Sequence, residues 1–247
     1  MDLNYWKNYI DQLPYNPLFV TVSGAHIYGF PSPDSDIDLR GCHQLPLSKI
    51  VGLAMPAETF EKEEIQDGTE VDLVSHEIGK YLRLLVKNNG YIMEQVFSPL
   101  VVHGQSLLDR LRPLATACLT RNHFYHYRGF LGTQRKLIEK QVAKKAKTVL
   151  YAYRVVLTGT FLMQNGSIET DLRKLIQQFD VQGIQELIDS KTHEKITVDL
   201  DWDFHSQQID RLESEMETAF EASALPEKPD RESINQLLIA LRLDSVR

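Results

Sequence analysis

The stretch 18–41 constrains the fold most, because an apolar run, a glycine turn, a loop and an Asp-x-Asp pair follow one another in it. The run 18–22 is short, apolar and rich in β-formers, which predicts a buried strand that ends near Gly24. Two prolines and small polar residues predict a loop over 30–35. Polar and apolar residues alternate over 36–41, as they do in a half-buried strand. The pattern therefore predicts two strands joined by a tight turn and a loop.

Three acidic residues accompany these strands. Residues i and i+2 of a strand point to the same face, so Asp36 and Asp38 should project side by side while Ile37 faces the core. Adjacent carboxylates repel each other unless a cation neutralises them, and Mg²⁺ prefers oxygen ligands. Asp72 lies on another predicted strand, 70–74, and adds a third carboxylate. Three carboxylates from two strands can hold two metal ions about 3.5–4 Å apart, the spacing used for in-line nucleotidyl transfer.

The turn between the first strand and the loop predicts a phosphate site. Gly24 lets backbone N–H groups approach a phosphate closely. A helix that starts at Ala25 would add a favourable dipole for the anion. Ser23, Gly24 and Ala25 are therefore the candidate nucleotide-binding residues of this turn.

Residues 18–41 resemble the signature of the DNA-polymerase-β-type nucleotidyltransferase superfamily: a strand, a Gly-Ser or Gly-Gly turn, about ten residues, then Asp-x-Asp. More narrowly, Ser-Gly-Ala-His-Ile-Tyr-Gly and then Pro-Ser-Pro-Asp-Ser-Asp-Ile-Asp-Leu-Arg-Gly41 are similar to the nucleotidyltransferases found near bacterial RNA-repair genes. Segments 71–76 and 88–94 resemble the third-carboxylate strand of that group and the segment that follows it. The resemblance covers about residues 18–100. Ala25 departs from it, since Ser or Gly usually follows the turn glycine and touches the triphosphate.

The resemblance implies an α+β fold, with a small mixed nucleotidyltransferase sheet and flanking helices, that binds a magnesium–NTP complex. Asp36 and Asp38 would ligate two Mg²⁺ ions (or Mn²⁺), and Asp72 the ion that activates the acceptor hydroxyl. A nucleoside monophosphate would be joined to the acceptor without a template, and pyrophosphate would be released. The favoured acceptor is RNA, with a tRNA 3′ end as one candidate. The alternatives are a small-molecule or protein hydroxyl, or a non-catalytic nucleotide-binding module.

The sequence pattern beyond residue 104 predicts only helices, so we expect a catalytic domain over 1–104 and an all-helical domain over 105–247. Apolar residues also recur at helical spacing over 76–87. Gly166 is the expected C-cap of one helix and Asp230 the expected N-cap of the last. The candidate helices of the second part cover 105–117, 121–141, 145–165, 169–178, 181–190, 206–222 and 230–243.

Charge is distributed unevenly along the chain. Residues 121–154, the basic segment, contain nine Lys and Arg residues and one acidic residue, Glu139, so the segment has a net charge of +8. Because the whole chain has a net charge of −7, the remaining residues carry −15. A local basic segment on an acidic protein favours a specific polyanion site. The candidates for phosphate or RNA contact are Lys145, Lys147 and Arg154, together with Arg40 on the Asp-x-Asp strand. The alternatives are ion pairs with acids of a later helix and, for Arg40, with a neighbouring carboxylate.

Other features indicate a cytoplasmic protein without membrane association. No apolar run reaches the roughly 18 residues that span a bilayer. The N-terminus lacks a basic start followed by an apolar stretch, so no signal peptide is expected. Cys42 and Cys118 lie far apart and have no metal-ligand spacing, which favours reduced thiols.

Overall fold

The computed structural model of the chain describes residues 1–54, 56–193 and 200–244. Its strands are β1 (Pro17–Val22), β2 (Ile37–His43), β3 (Thr59–Gln66), β4 (Thr69–Glu77) and β5 (Val101–His103). Its helices are α1 (Leu3–Ile10), α2 (Ala25–Tyr28), α3 (Leu47–Ile50), α4 (Ile78–Leu85), α5 (Gly90–Phe97), α6 (Gln105–Thr116), α7 (His123–Lys140), α8 (Ala146–Asn165), α9 (Leu172–Gln178), α10 (Ile184–His193), α11 (Trp202–Ala222) and α12 (Arg231–Asp244). Every described element after β5 is a helix, which confirms the predicted α+β class.

The elements form two compact units. The sheet unit comprises Met1–Gly24, Asp36–Cys118 and Lys228–Arg247. The helical unit comprises Ala25–Ser35 and Leu119–Glu227. Each unit is therefore assembled from separate stretches of the chain. The expected division near residue 104, with catalysis assigned to residues 1–104, stays a prediction.

The sheet has the strand order β3-β4-β2-β1-β5. Strands β2 and β4 are parallel, and the other neighbours are antiparallel. Alternate residues of β2 and β4, among them Leu39 and Leu73, point into a core that also contains apolar side chains of α1. Because side chains alternate along a strand, Asp38 and Asp72 lie on the face away from this core.

A tight turn at Asp67 and Gly68 joins β3 to β4. The two residues have φ angles of 48° and 81°, both in the left-handed region, which a two-residue type I′ hairpin requires. β3 is an edge strand with the charged sequence Thr-Phe-Glu-Lys-Glu-Glu-Ile-Gln. Charges on an edge strand oppose pairing with other chains. The sequence analysis predicted β4 but not its partner β3.

Two helix caps are confirmed. Gly166 ends α8 with a φ of 66°, and its N–H donates to the Leu162 carbonyl at 2.9 Å. At the start of α12, Asp230 Oδ1 accepts from the Ser233 N–H at 3.1 Å. Both contacts satisfy backbone groups that a helix end would otherwise leave without partners.

The helix expected over 76–87 starts two residues later than predicted, at Ile78. Parallel pairing of β2 with β4 continues through His43 and Glu77, so His76 is still part of the strand. The Glu77 carboxylate then caps α4, since its Oε2 accepts from the Gly79 N–H at 2.7 Å. The strand pairing has overridden the helical periodicity at this end.

Helix α8 forms the core of the helical unit and packs against α7, α9, α10 and α11. The segment Ala25–Ser35 belongs to the same unit. Its Gly29 has a φ of +87°, and a Cβ there would lie 2.1 Å from Asp171 Oδ1. The Ile27 carbonyl accepts from Thr170 Oγ1 at 3.3 Å. These contacts tie the segment to the chain around the start of α9.

The described helices include none with the length and apolarity needed to cross a membrane. Cys42 and Cys118 are both buried free thiols, as the sequence predicts for reduced cysteines. Burial raises the pKa of the Cys118 thiol to about 11, so it is protonated at neutral pH.

Candidate active site

The glycine turn folds back onto β2. The Ser23 N–H donates to the Asp38 carbonyl at 2.8 Å, which extends the pairing of β1 with β2 by one bond. Gly24 has a φ of +65°, and a Cβ built on it would lie 1.8 Å from Asp38 Oδ2. Glycine is therefore required here for two reasons: the left-handed backbone conformation and the close approach of the Asp38 carboxylate.

Asp38 and Asp72 are direct neighbours across the parallel strands β2 and β4. Neighbouring strands lie about 4.8 Å apart, so the two carboxylates stand side by side on one face of the sheet. Asp38 is more enclosed than Asp72, with side-chain exposures of 23% and 35%. The structure thus brings together two of the three predicted carboxylates.

Arg40 lies between these two carboxylates. Its Nη2 donates to Asp38 Oδ1 at 2.7 Å and to Asp72 Oδ2 at 2.6 Å. Its Nη1 donates to the main-chain carbonyls of Asp72, at 2.6 Å, and Leu39, at 3.1 Å. Of the two roles considered for Arg40, the structure shows the ion pair with neighbouring carboxylates. The predicted phosphate contact of Arg40 stays a prediction.

Asp36 immediately precedes β2 and is partly exposed. Within 1–54, 56–193 and 200–244, no three His, Cys, Asp or Glu side chains are grouped closely enough to hold one metal ion. Asp38 and Asp72 nevertheless supply the hard oxygen donors that Mg²⁺ prefers. The Arg40 guanidinium already supplies one positive charge to these two negative charges. This donor set fits a divalent cation, with Asp36 as the predicted further ligand.

The other residues predicted at the turn lie where the strand ends. Ser23 and Ala25 are both buried, with exposures of 8% and 7%. Ser23 and Gly24 are the last two residues of the first chain segment of the sheet unit, and Ala25 is the first residue of α2. Their predicted contacts with a triphosphate stay predictions.

Arg154, a predicted phosphate ligand, is fully buried in the helical unit. Its guanidinium carbon lies 4.0 Å from the centre of the Tyr28 ring and 5.5 Å from that of Phe130. Such stacking is a cation–π contact, which is stronger where water is excluded. Lys145 and Lys147, by contrast, are exposed at the start of α8.

Three arginines of the basic segment pair with α11. Arg128 meets Glu217 at 3.0 Å, and Arg135 meets both Asp210 and Glu213 at 2.7 and 2.9 Å. Arg121 donates to the Phe220 carbonyl and stacks on the Phe220 ring. Pairing with acids of a later helix was the alternative for Lys145, Lys147 and Arg154, and the structure shows such pairs for Arg128 and Arg135.

Two histidines lie further along the strands that carry the carboxylates. Burial lowers the pKa of His76 to about 4, and the positive charges of Lys80 and Arg40 nearby act in the same direction. Burial also lowers the pKa of His43, whose Nδ1 lies 2.9 Å from Ser75 Oγ. Both histidines are therefore neutral at pH 7, and neither adds positive charge to this part of the sheet.

Comparisons with known proteins found relatives in sequence and a similar solved structure. A protein of Methanocaldococcus jannaschii, MJ0002, is 29% identical over 181 residues, which cover 72% of this chain and 74% of that protein. YcgL of Bacillus subtilis is 27% identical over 236 residues, or 90% and 88% of the two chains. A crystal structure of a nucleotidyltransferase-like protein from Exiguobacterium sibiricum 255-15 matches with a TM-score of 0.31 and 11% identity over 88% of this chain and 72% of that chain.

A family model described as RlaP, RNA repair pathway DNA polymerase beta family, matches residues 6–240. The match extends beyond the sheet and glycine turn into the helices for which the sequence alone gave only a general likeness. Because it spans nearly the whole chain, the protein belongs to the RlaP family of RNA repair pathway DNA-polymerase-β-type proteins.

Proposed function

We propose that the protein is a magnesium-dependent nucleotidyltransferase, which moves a nucleoside monophosphate from an NTP to an acceptor hydroxyl without a template. Pyrophosphate is released. Family membership supports a transferase of this type. The observation that carries the proposal is the pair Asp38 and Asp72, in register on parallel strands, with the Gly24 turn folded against the Asp38 carboxylate.

The roles of the residues follow from their chemistry. Asp38 and Asp72, joined by Asp36, would hold Mg²⁺ or Mn²⁺, two ions per site. When bound, such ions neutralise phosphate charge and favour loss of the acceptor proton. The backbone of Ser23, Gly24 and Ala25 would donate N–H groups to the triphosphate.

The proposed acceptor is RNA in the cytoplasm, with a tRNA 3′ end as one candidate. The family description supports an RNA partner. Lys145 and Lys147 also support it, since both are exposed and no ion pair to them is found in the described part of the chain. They would contact the phosphate backbone. The predicted phosphate contact of Arg154 stays a prediction, because its guanidinium is fully buried over the Tyr28 ring.

Transfer of α-labelled NTP to total RNA and protein, with magnesium, tests the chemistry. Asp38→Asn and Asp72→Asn should each lower transfer by roughly 10³-fold, because each removes a charged ligand from the site. Asp109→Asn on α6 is the matched control, since Asp109 is an exposed carboxylate of the sheet unit. Full activity of Asp38→Asn would refute the assignment, and Asp36→Asn in parallel decides whether Asp36 belongs to the site.

A small-molecule or protein hydroxyl is the second candidate acceptor. The net charge of −7 and the use of Arg128 and Arg135 in ion pairs both reduce the basic surface available to RNA. In that case label should appear on protein, or on neither polymer.

A non-catalytic nucleotide-binding module is the remaining alternative. Such a module would bind NTP and transfer nothing to any acceptor. Ala25, which stands where Ser or Gly usually follows the turn glycine, favours that alternative.

Salt dependence separates RNA from the other acceptors. Double substitution of Lys145 and Lys147 by Gln should lower the slope of log Kd against log salt concentration by about 1.4, or about 0.7 per lost contact with single-stranded RNA. Lys174→Gln is the control, because Lys174 lies in the same unit but pairs with Glu169 at 3.0 Å. Equal slopes for the double variant and the control would argue against RNA contact by these lysines.

A further inference from the structure

We infer that Arg40 is the internal counter-cation of the metal-free site, and that a divalent ion must displace its guanidinium from Asp38 and Asp72 in order to bind. Arg40 would then set the metal affinity of the site in addition to any contact with phosphate. This inference rests on the proposed function, because it assumes that these carboxylates are metal ligands. It goes further by assigning a competitive role to a residue of the same strand.

The first support is the position of one atom. Arg40 Nη2 is the shared donor to one oxygen of Asp38 and one of Asp72, at 2.7 and 2.6 Å. A cation that bridged these two oxygens would need the gap in which Nη2 now lies. A metal ion and a guanidinium also repel each other, so both cannot neutralise the same pair at close range.

The second support is the anchoring of the side chain. Arg40 Nη1 donates to two main-chain carbonyls, those of Asp72 and Leu39. These bonds hold the guanidinium between the strands although the side chain is 19% exposed. Arg40 is thus held in one position between the carboxylates until a cation competes for them.

The third support is the electrostatic balance on this face. Two carboxylates in register on adjacent strands repel each other, and the sheet would be less stable with both charged and no cation nearby. Arg40 supplies one positive charge to two negative charges. The remaining negative charge attracts a divalent ion, and displacement of Arg40 would leave the guanidinium available to an anionic group on the incoming substrate.

Binding of Mn²⁺ alone to the full chain, followed by electron paramagnetic resonance, tests this competition without any transfer reaction. Arg40→Gln should bind Mn²⁺ roughly fivefold more tightly than the wild type, the effect of removing a partly exposed competing ion pair. In EDTA the same variant should melt at a lower temperature, and Mn²⁺ should raise its melting temperature more than that of the wild type. Lys87→Gln is the control, because it removes one exposed positive charge from the same unit away from the carboxylates.

Weaker or unchanged Mn²⁺ affinity in Arg40→Gln would overturn the inference, and so would tighter binding in Lys87→Gln by the same factor. If Arg40→Gln does not fold, Arg40→Lys serves instead: it keeps the charge but cannot reproduce the planar fork, so its Mn²⁺ affinity should exceed that of the wild type. Absence of Mn²⁺ binding to every form would also overturn it.

The proposed function is judged separately by label transfer. Transfer by the wild type with unchanged Mn²⁺ affinity in Arg40→Gln would leave the function standing and remove the inference. Tighter Mn²⁺ binding in Arg40→Gln, without label transfer to any acceptor by the wild type, would support the competition between Arg40 and the metal ion and count against the proposed function.

Discussion

Two arginines, each predicted to bind phosphate, have very different surroundings in the two units. In the sheet unit, Arg40 is partly exposed and donates to the carboxylates of Asp38 and Asp72. In the helical unit, Arg154 is fully buried with its guanidinium over the Tyr28 ring. The first can exchange its partners for a ligand and solvent, whereas the second is held by packing. A basic residue in a sequence pattern therefore indicates charge, and its surroundings decide whether the charge serves a site or the core.

The comparison predicts unequal losses of stability when the two arginines are truncated. Arg154→Ala should lower the free energy of unfolding by about 3 kcal/mol, because it empties a large buried volume and removes a cation–π contact. Arg40→Gln should lower it by less than about 1 kcal/mol, as for a solvent-accessible ion pair. Urea unfolding followed by circular dichroism measures both.

Arg154→Met keeps most of the volume and removes the charge, so it separates packing from electrostatics. A loss below half of that for Arg154→Ala would mean that volume dominates. If Arg154→Ala cost no more than Arg40→Gln, the distinction between the two units would be wrong.

Two glycines of the sheet unit sharpen the comparison at the site itself. Gly24 and Gly68 both have left-handed φ angles, +65° and +81°, but only a Cβ at Gly24 would meet another residue, at 1.8 Å from Asp38 Oδ2. Gly68→Ala should therefore cost about 1 kcal/mol, the conformational penalty alone. Gly24→Ala should cost about 2 kcal/mol or more, because Asp38 must also move.

The same pair distinguishes strain from function. Label transfer should persist in Gly68→Ala, whose turn lies between β3 and β4, and should be lost in Gly24→Ala, whose carboxylate neighbour is displaced. Thermal melting and the transfer assay are run on the same preparations. Equal effects of the two substitutions on both readouts would mean that Gly24 has only a conformational role.

The sequence was most informative where its signals were local and least informative where distant chain segments meet. Alternation over 36–41 and the Asp-x-Asp pair predicted the face on which Asp38 lies, and the caps at Gly166 and Asp230 were predicted from single residues. The hairpin partner β3 was missed, although the Asp67-Gly68 turn is a strong hairpin signal. Most residues of β3 are polar or charged, so the sequence does not show the alternation of polar and apolar residues that predicts a strand.

Arg40 shows what periodicity alone could not decide. The spacing of two residues placed it beside Asp38, but the second partner, Asp72, is 32 residues away and depends on the parallel register of β2 and β4. The basic segment has the same limitation. Arg135 and Arg128 pair with residues of α11 that lie 78 and 89 positions later, so their neutralisation is a property of helix packing and is absent from the local charge pattern.

The smallest expected effect concerns buried histidines, one in each unit. Burial lowers the pKa of His123 to about 4, as it does for His76, from an ordinary value of 6.5. Each folded-state histidine therefore resists protonation, so its contribution to stability is complete above pH 6.5 and is lost as the pH falls towards 4. His123 Nδ1 lies 3.2 Å from the Thr120 nitrogen and 3.1 Å from the Thr120 carbonyl oxygen, and the hydrogen bond to the Thr120 backbone partly offsets the effect of burial on the pKa of His123.

Substitution by glutamine should reduce the fall in unfolding free energy between pH 7 and pH 4.5. The reduction should be larger for His123→Gln than for His76→Gln, because His123 is fully buried and His76 is partly exposed, so that water can solvate its charged form. His103→Gln, at a partly exposed histidine of β5, is the control. Denaturant titrations at the two pH values measure the difference. A larger change for His76→Gln would mean that the sheet unit, with Lys80, His43 and Arg40 around that ring, is the more acid-sensitive of the two.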